Sequence, residues 1–187
     1  MIMKSRAVKS LVACGAVIFV LSFAQADEDV VTAVHGTIDK LDATTKTVVV
    51  KTGDGAMHSL HFVDKTAVHG MHAGAAGAKE SFHGLTEGTE VVAHYTGEAG
   101  KETAVEIDRV GKDGLKTTEG TISKLDRAGK TITVKTADGT EHTFDLSEHA
   151  AKDAGKEIGE GTEKGTKVVI YSTARAGKDV AHFFEKI

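Results

Sequence analysis

Histidine is the residue type in this chain whose abundance and spacing favour a chemical role. Ten histidines occur among 187 residues, and all of them follow residue 26. His69 and His72 flank Met71, and His83 follows eleven residues later, after a glycine-rich run. Imidazole nitrogen is a good ligand for copper, zinc and nickel, and a thioether suits copper. The spacing therefore predicts a metal site made of His69, Met71, His72 and His83, with copper(II), zinc or nickel as the ion.

A solvated loop that binds no physiological ligand is the alternative for these four residues. The remaining histidines, except His149, are spread along predicted strands. Only His58 and His142 occupy corresponding positions in the internal repeat described below, and such a pair is as easily structural as functional. The sequence leaves both interpretations of the histidine-rich loop open.

Catalytic motifs are absent from the sequence. None of the serines stands in a Gly-x-Ser-x-Gly turn, and residues 70–77 lack the Gly-Lys-Ser/Thr ending of a phosphate-binding loop. Cys14 is the only cysteine, so a chain that begins after it has no disulfide and no thiolate metal site. Acidic residues lie in turns or alternate with lysine, which is typical of solvated strand faces. We expect a protein that is not an enzyme.

The sequence segments that would position the histidines occur twice along the chain. Residues 36–62 match residues 120–146 at an offset of 84, with 14 of 27 pairs identical. Residues 84–107 match residues 161–184 at an offset of 77, with 10 of 24 pairs identical. A fixed offset of this kind indicates an internal repeat. We divide the chain into a signal segment (residues 1–26), copy 1 (residues 27–111) and copy 2 (residues 112–187).

Each copy predicts five β-strands joined by tight turns. In copy 1, Val48 and Val50 share one face of a β-branched strand, and Val49 and Lys51 share the other. Asp54-Gly55 then supplies a hairpin turn, and Asp138-Gly139 repeats it in copy 2. The strands of copy 1 are expected at residues 34–41, 47–52, up to about 62, 89–96 and 103–110.

The segment between the third and fourth strands differs between the copies. In copy 2, Ser147 is a plausible N-cap in front of an acidic residue and good helix formers. In copy 1, glycines interrupt residues 67–82 and weaken any helix there. Three strands, a short helix or loop and two further strands are the order of an OB-type barrel. The predicted fold class is all-β, with two tandem five-stranded OB-like barrels, and an SH3-like barrel is the alternative.

The repeated pattern resembles small exported bacterial β-barrel repeats of unassigned function. Gly36 begins the pattern Gly-Thr-Ile-x-Lys-Leu-Asp, followed by Thr-Val-Val-Val, Asp-Gly and Gly-Thr-x-Val-Val. It is similar, more faintly, to the CusF-type periplasmic copper- and silver-binding OB-fold proteins. That family binds its metal through a histidine, two methionines on the third strand and a tryptophan. Here His58 and Leu60, or His142 and Phe144, stand in place of the methionines, and the chain has no tryptophan. The soft-metal site of the family therefore does not carry over.

The N-terminal 26 residues have the order of a secretory signal: basic residues, an apolar run and Ala24-Gln25-Ala26. We expect cleavage before Asp27 and a periplasmic or secreted protein. A retained anchor and a lipidated Cys14 are the alternatives. Cleavage lowers the basic residues from 23 to 20 against 27 acidic ones, so the mature net charge is −7. Such a charge disfavours nucleic acid as a partner.

Two functions from different classes follow from these observations. The first is a non-catalytic exported protein that binds or interacts with a partner in the envelope, whose ligand the sequence does not identify. The second is binding of a transition metal in the periplasm through the histidine-rich loop of copy 1. No cofactor other than that ion, and no transmembrane segment in the mature chain, is expected.

Overall fold

The computed structural model describes residues 31–70, 82–97, 100–151, 164–175 and 177–187. The predicted signal segment, together with Met71 and His72, lies outside these residues. Across the described ranges the chain is all-β. No helix within them is long and apolar enough to cross a membrane.

Copy 1 forms a sheet of six strands. These are β1 (Thr32–Asp42), β2 (Thr47–Thr52), β3 (Met57–His61), β4 (Ala67–His69), β5 (Glu90–Thr96) and β6 (Thr103–Arg109). Their order is β3-β2-β1-β5-β6-β4, and a parallel pairing of His61 with Thr103 also joins β3 to β6. Val48 and Val50 are completely buried, as their alternation along β2 predicts.

Copy 2 forms a closed barrel of five strands. These are β7 (Lys116–Asp126), β8 (Thr131–Lys135), β9 (Glu141–Leu146), β10 (Lys167–Arg175) and β11 (Lys178–Lys186). Neighbouring strands are antiparallel except for β9 and β11, which run parallel. The prediction of a β-barrel is confirmed for this part of the chain.

The hairpin turns have the chemistry expected from Asp-Gly. Gly55 has φ +88° and Gly139 has φ +87°, a region that glycine adopts without steric strain. Asp54 and Asp138 keep negative φ and instead accept hydrogen bonds from the hydroxyls of Thr52 and Thr136. The two copies therefore build the same turn.

The segment after the third strand differs between the copies, as expected. Its structure in copy 1 was not predicted, whereas its structure in copy 2 was. In copy 1 it contains β4, which the sequence did not predict and which pairs parallel with β6. In copy 2, residues 148–151 are helical, and the amide of Ala150 donates to Ser147 Oγ at 3.1 Å. This N-cap matches the prediction for Ser147.

The two copies pack against each other as well as around their own cores. The core of each copy is formed by the inward residues of its strands. A third buried cluster lies between the copies. It contains Val92 and Leu115, which stand before and after the link between β6 and β7, and Tyr171 and Phe183 of copy 2. The link itself is a hydrogen-bonded turn, in which the Leu115 amide donates to Arg109 O at 2.7 Å. The faces of β5 and β10 that point away from the cores of their own copies thus meet between the copies.

Candidate metal centre

The candidate site begins with the alternation of side chains along β6. Ile107 is completely buried in the core of copy 1. Its neighbours Glu106 and Asp108 must therefore project to the opposite face of the strand. β4 pairs with β6 in a register that sets His69 opposite Asp108. The short strand β4 thus carries an imidazole to the two carboxylates.

The three side chains bring their ligand atoms close together. His69 Nδ1 lies 3.0 Å from Glu106 Oε1 and 3.0 Å from Asp108 Oδ1. One donor atom from each of the three residues lies within 4.8 Å of the others, and no further group of this kind occurs among the described residues. The side chain of Asp108 is only 2% exposed, whereas that of His69 is 58% exposed. The group therefore extends from the protein interior to solvent.

Copy 2 adds two imidazoles to this group. His149 Nε2 lies 3.7 Å from Glu106 Oε2, and His182 Nδ1 lies 3.8 Å from Asp108 Oδ2. Both separations are too long for a hydrogen bond. Asp108 Oδ2 and His149 Nδ1 are buried and have no hydrogen-bond partner within the described ranges. A buried carboxylate oxygen in this condition is unusual in a native structure and calls for an explanation such as an ion.

Burial and neighbouring charge change the protonation of the site. Burial and the neighbouring carboxylate of Glu106 together raise the pKa of Asp108 to about 6, against the opposing effect of His69. Burial, together with the charges of His149 and His182, lowers the pKa of His94 to about 3. The ring of His94 lies against that of His149, with centroids 5.2 Å apart. The surroundings of the site therefore disfavour charge on both Asp108 and His94.

A cavity of about 550 Å³ opens beside the group. His69 and Asp108 line it from copy 1, and Thr173 and His182 line it from copy 2. The Thr173 hydroxyl and His182 Nε2 lie 3.0 Å apart, so Nδ1 of the same ring is turned toward Asp108. A small ion can reach the donors through this cavity.

The four residues predicted from the sequence are not brought together as a set. His69 belongs to the group, while Met71 and His72 lie outside the described residues. His83 has φ +51°, and its ring packs against Phe62 with centroids 5.7 Å apart. It is not among the residues grouped with His69.

Sequence reasoning missed Glu106, Asp108, His149 and His182 as members of the site. A signal was present in the second block of the repeat. At the offset of 77, His94 corresponds to Tyr171, and Glu106 corresponds to Phe183. Polar residues in one copy where the other has aromatic ones mark a strand face with a different environment. This divergence lies in the strands, outside the loop that the spacing of His69, His72 and His83 indicates.

The chain matches no protein-family model and no curated protein. Its function is therefore inferred from the donor atoms of the site.

Proposed function

We propose that this protein binds a divalent transition-metal ion through His69, Glu106 and Asp108. The observation that carries the proposal is the convergence of one imidazole and two carboxylates, one of which, Asp108, has a buried second oxygen, Oδ2, without a hydrogen-bond partner among the described residues. A cation would balance the two carboxylates and would give that oxygen a partner. Both effects favour the bound state.

The chemistry of the donors narrows the choice of ion. Nitrogen and carboxylate oxygen without sulfur suit Zn²⁺, Ni²⁺ and Cu²⁺, whereas Cu⁺ prefers thiolate and thioether ligands. Carboxylates raise the affinity for divalent ions by their charge. We therefore propose zinc, nickel or copper(II), and not the soft ions of the CusF-type proteins.

The setting of the site is part of the proposal. We propose that the protein acts after export, in the periplasm or outside the cell, with residues 1–26 as its signal. We also propose that both copies are OB-like barrels. The order β7-β8-β9-β11-β10 with a parallel β9–β11 pair supports this for copy 2, and the β3–β6 pair supports it for copy 1.

Calorimetric titration of the full chain with Zn²⁺, Ni²⁺ and Cu²⁺ at pH 7.5 tests the proposal. His69→Ala and Asp108→Asn should each weaken binding at least tenfold. His72→Ala is the matched control, because it removes an imidazole from the loop predicted by the sequence. His83→Ala is a second control. Both controls should keep the affinity of the unchanged chain.

Two results would contradict the proposal. Loss of binding in His72→Ala and His83→Ala, with His69→Ala and Asp108→Asn unaffected, would place the metal in the loop. No binding of any of the three ions would favour the interaction function expected from the sequence instead.

A further inference from the structure

We infer that His149 and His182 complete the coordination of the ion, so that the metal fastens copy 2 to copy 1. This inference rests on the proposed function and adds to it. The three donors of copy 1 come from two paired strands of one sheet. The two imidazoles of copy 2 approach them from the other side of the junction between the copies.

Each imidazole of copy 2 lies at ligand spacing from one carboxylate of the group, and both rings would close on the ion when it binds, since only His69, Glu106 and Asp108 already have donors within 4.8 Å of one another. Neighbouring ligand atoms bound at about 2.0–2.2 Å to an ion with four or five ligands lie about 3–3.7 Å from each other. The two contacts of His69 are 3.0 Å long, and those of His149 and His182 are 3.7 and 3.8 Å long. The two longer contacts are poor hydrogen bonds but suitable spacings for neighbouring ligands.

The backbone of copy 2 holds the two imidazoles near each other. The amide of Ser147 donates to Ala181 O at 2.8 Å and ties the helical segment of His149 to β11, the strand of His182. Ser147 also caps that segment through its hydroxyl. The contact of Thr173 Oγ1 with His182 Nε2 orients the ring. Such outer contacts are typical of metal-binding histidines.

The other side of the junction is already closed without a metal. His35 Nδ1 lies 3.2 Å from Glu185 Oε2, and the Tyr171 hydroxyl lies 3.0 Å from the same nitrogen. Val92 and Phe183 pack in the apolar cluster between the copies. At the metal group, by contrast, the contacts between copies exceed hydrogen-bond length. An ion would therefore add a link beside the contact of the His94 ring with the His149 ring, which already joins the copies on this side.

Pulsed electron paramagnetic resonance of the Cu²⁺-loaded full chain tests the inference, because it counts the imidazoles bound to the ion. We expect three in the unchanged chain and two in either His149→Gln or His182→Gln. Zinc affinity should fall at least tenfold in each variant. His142→Gln is the matched control, since it removes an exposed imidazole of copy 2 outside the group, and it should leave three.

Hydrogen exchange provides a second readout that does not depend on these variants. Zn²⁺ should slow amide exchange in both β6 and β11 of the unchanged chain. Copper binding with an imidazole count that both variants leave unchanged, or zinc protection confined to copy 1, would overturn this inference alone. No metal binding by the full chain would overturn the proposed function as well.

Discussion

β6 and β11 are the corresponding last strands of the two copies, and their outward faces differ. At the offset of 77, Glu106 of β6 corresponds to Phe183 of β11, while Ile107 and Phe184 both point into their cores. Phe183 packs in the apolar cluster between the copies, and Glu106 faces imidazoles. The inward faces of both strands are apolar and pack in their cores, whereas the outward faces differ. The junction therefore has an apolar side and a polar side, and the candidate site lies on the polar one.

We expect the largest effect when the apolar residue at position 183 is replaced by the acidic residue that stands at position 106. Removal of a buried phenylalanine costs about 3–5 kcal/mol, and Phe183→Glu should lower the free energy of unfolding by at least that amount. The buried carboxylate adds a desolvation penalty to that loss. Chemical denaturation measures the change.

The reverse change at Glu106 should be mild for the fold. Glu106→Leu should stay within about 1 kcal/mol of the unchanged chain, because loss of the contacts with His69 and His149 is offset by relief of the repulsion between Glu106 and the buried Asp108. Its metal affinity should nevertheless fall. A large loss of stability in Glu106→Leu, or none in Phe183→Glu, would show that the two sides of the junction do not differ in the way described.

The corresponding glycines Gly36 and Gly120 extend the comparison to the first strands of the two copies. A Cβ at Gly36 would collide with the carbonyl oxygen of Lys51, whereas one at Gly120 would lie 2.9 Å from Lys135 O. Overpacking of this kind costs about 1–3 kcal/mol. We expect the loss of stability to lie at the upper end of that range for Gly36→Ala and at the lower end for Gly120→Ala. Thermal unfolding measures both losses. An equal or reversed pair of values would contradict the tighter approach in copy 1.

The N-cap of the helical segment exists in copy 2 and has no counterpart in β4 of copy 1. Ser147→Ala removes the acceptor of the Ala150 amide and should cost about 1 kcal/mol. Hydrogen exchange of the amides of residues 150 and 151 should become faster, with β8 unchanged as the internal control. Unchanged exchange at both amides would show that the cap is not what holds this segment.

The two Asp-Gly turns should titrate differently, and this is the smallest effect. Hydrogen bonds from Thr136 and Thr140 hold the pKa of Asp138 at about 2, below its ordinary value of 3.8. The pKa of Asp54 is also lowered, by hydrogen bonds from the Thr52 hydroxyl and the Ala56 amide. Ala56 has no hydroxyl, whereas Thr140 of copy 2 adds one.

The stabilisation by Asp138 is present above pH 3.8 and is lost as the pH falls toward about 2, because the folded chain holds the ionised form. Nuclear magnetic resonance titration of the side-chain carboxyl carbons checks this. Thr140→Ala should raise the midpoint of Asp138 and leave that of Asp54 in place. A midpoint of Asp138 at or above its ordinary value would refute the hydrogen-bond assignment.

Much of the local structure could be predicted because its causes are local. Alternating β-branched residues produce strands such as β2, with Val48 and Val50 inward. Asp-Gly produces the positive φ of Gly55 and Gly139, and Ser147 caps the residues that follow it. The strand β4 escaped prediction because three residues beside glycine carry little periodicity, and its pairing with β6 supplies the hydrogen bonds.

The sequence by itself determined the copies, the strands, the turns and the supply of imidazole and carboxylate side chains. It also determined that His69 is available as a ligand. Only the tertiary structure decided that Glu106 and Asp108 stand beside His69, and that His149 and His182 approach from copy 2. The physical reason is that alternation assigns a side chain to a face of its strand. Which faces meet depends on long-range pairing and on packing between the copies, and local residue patterns do not contain that information.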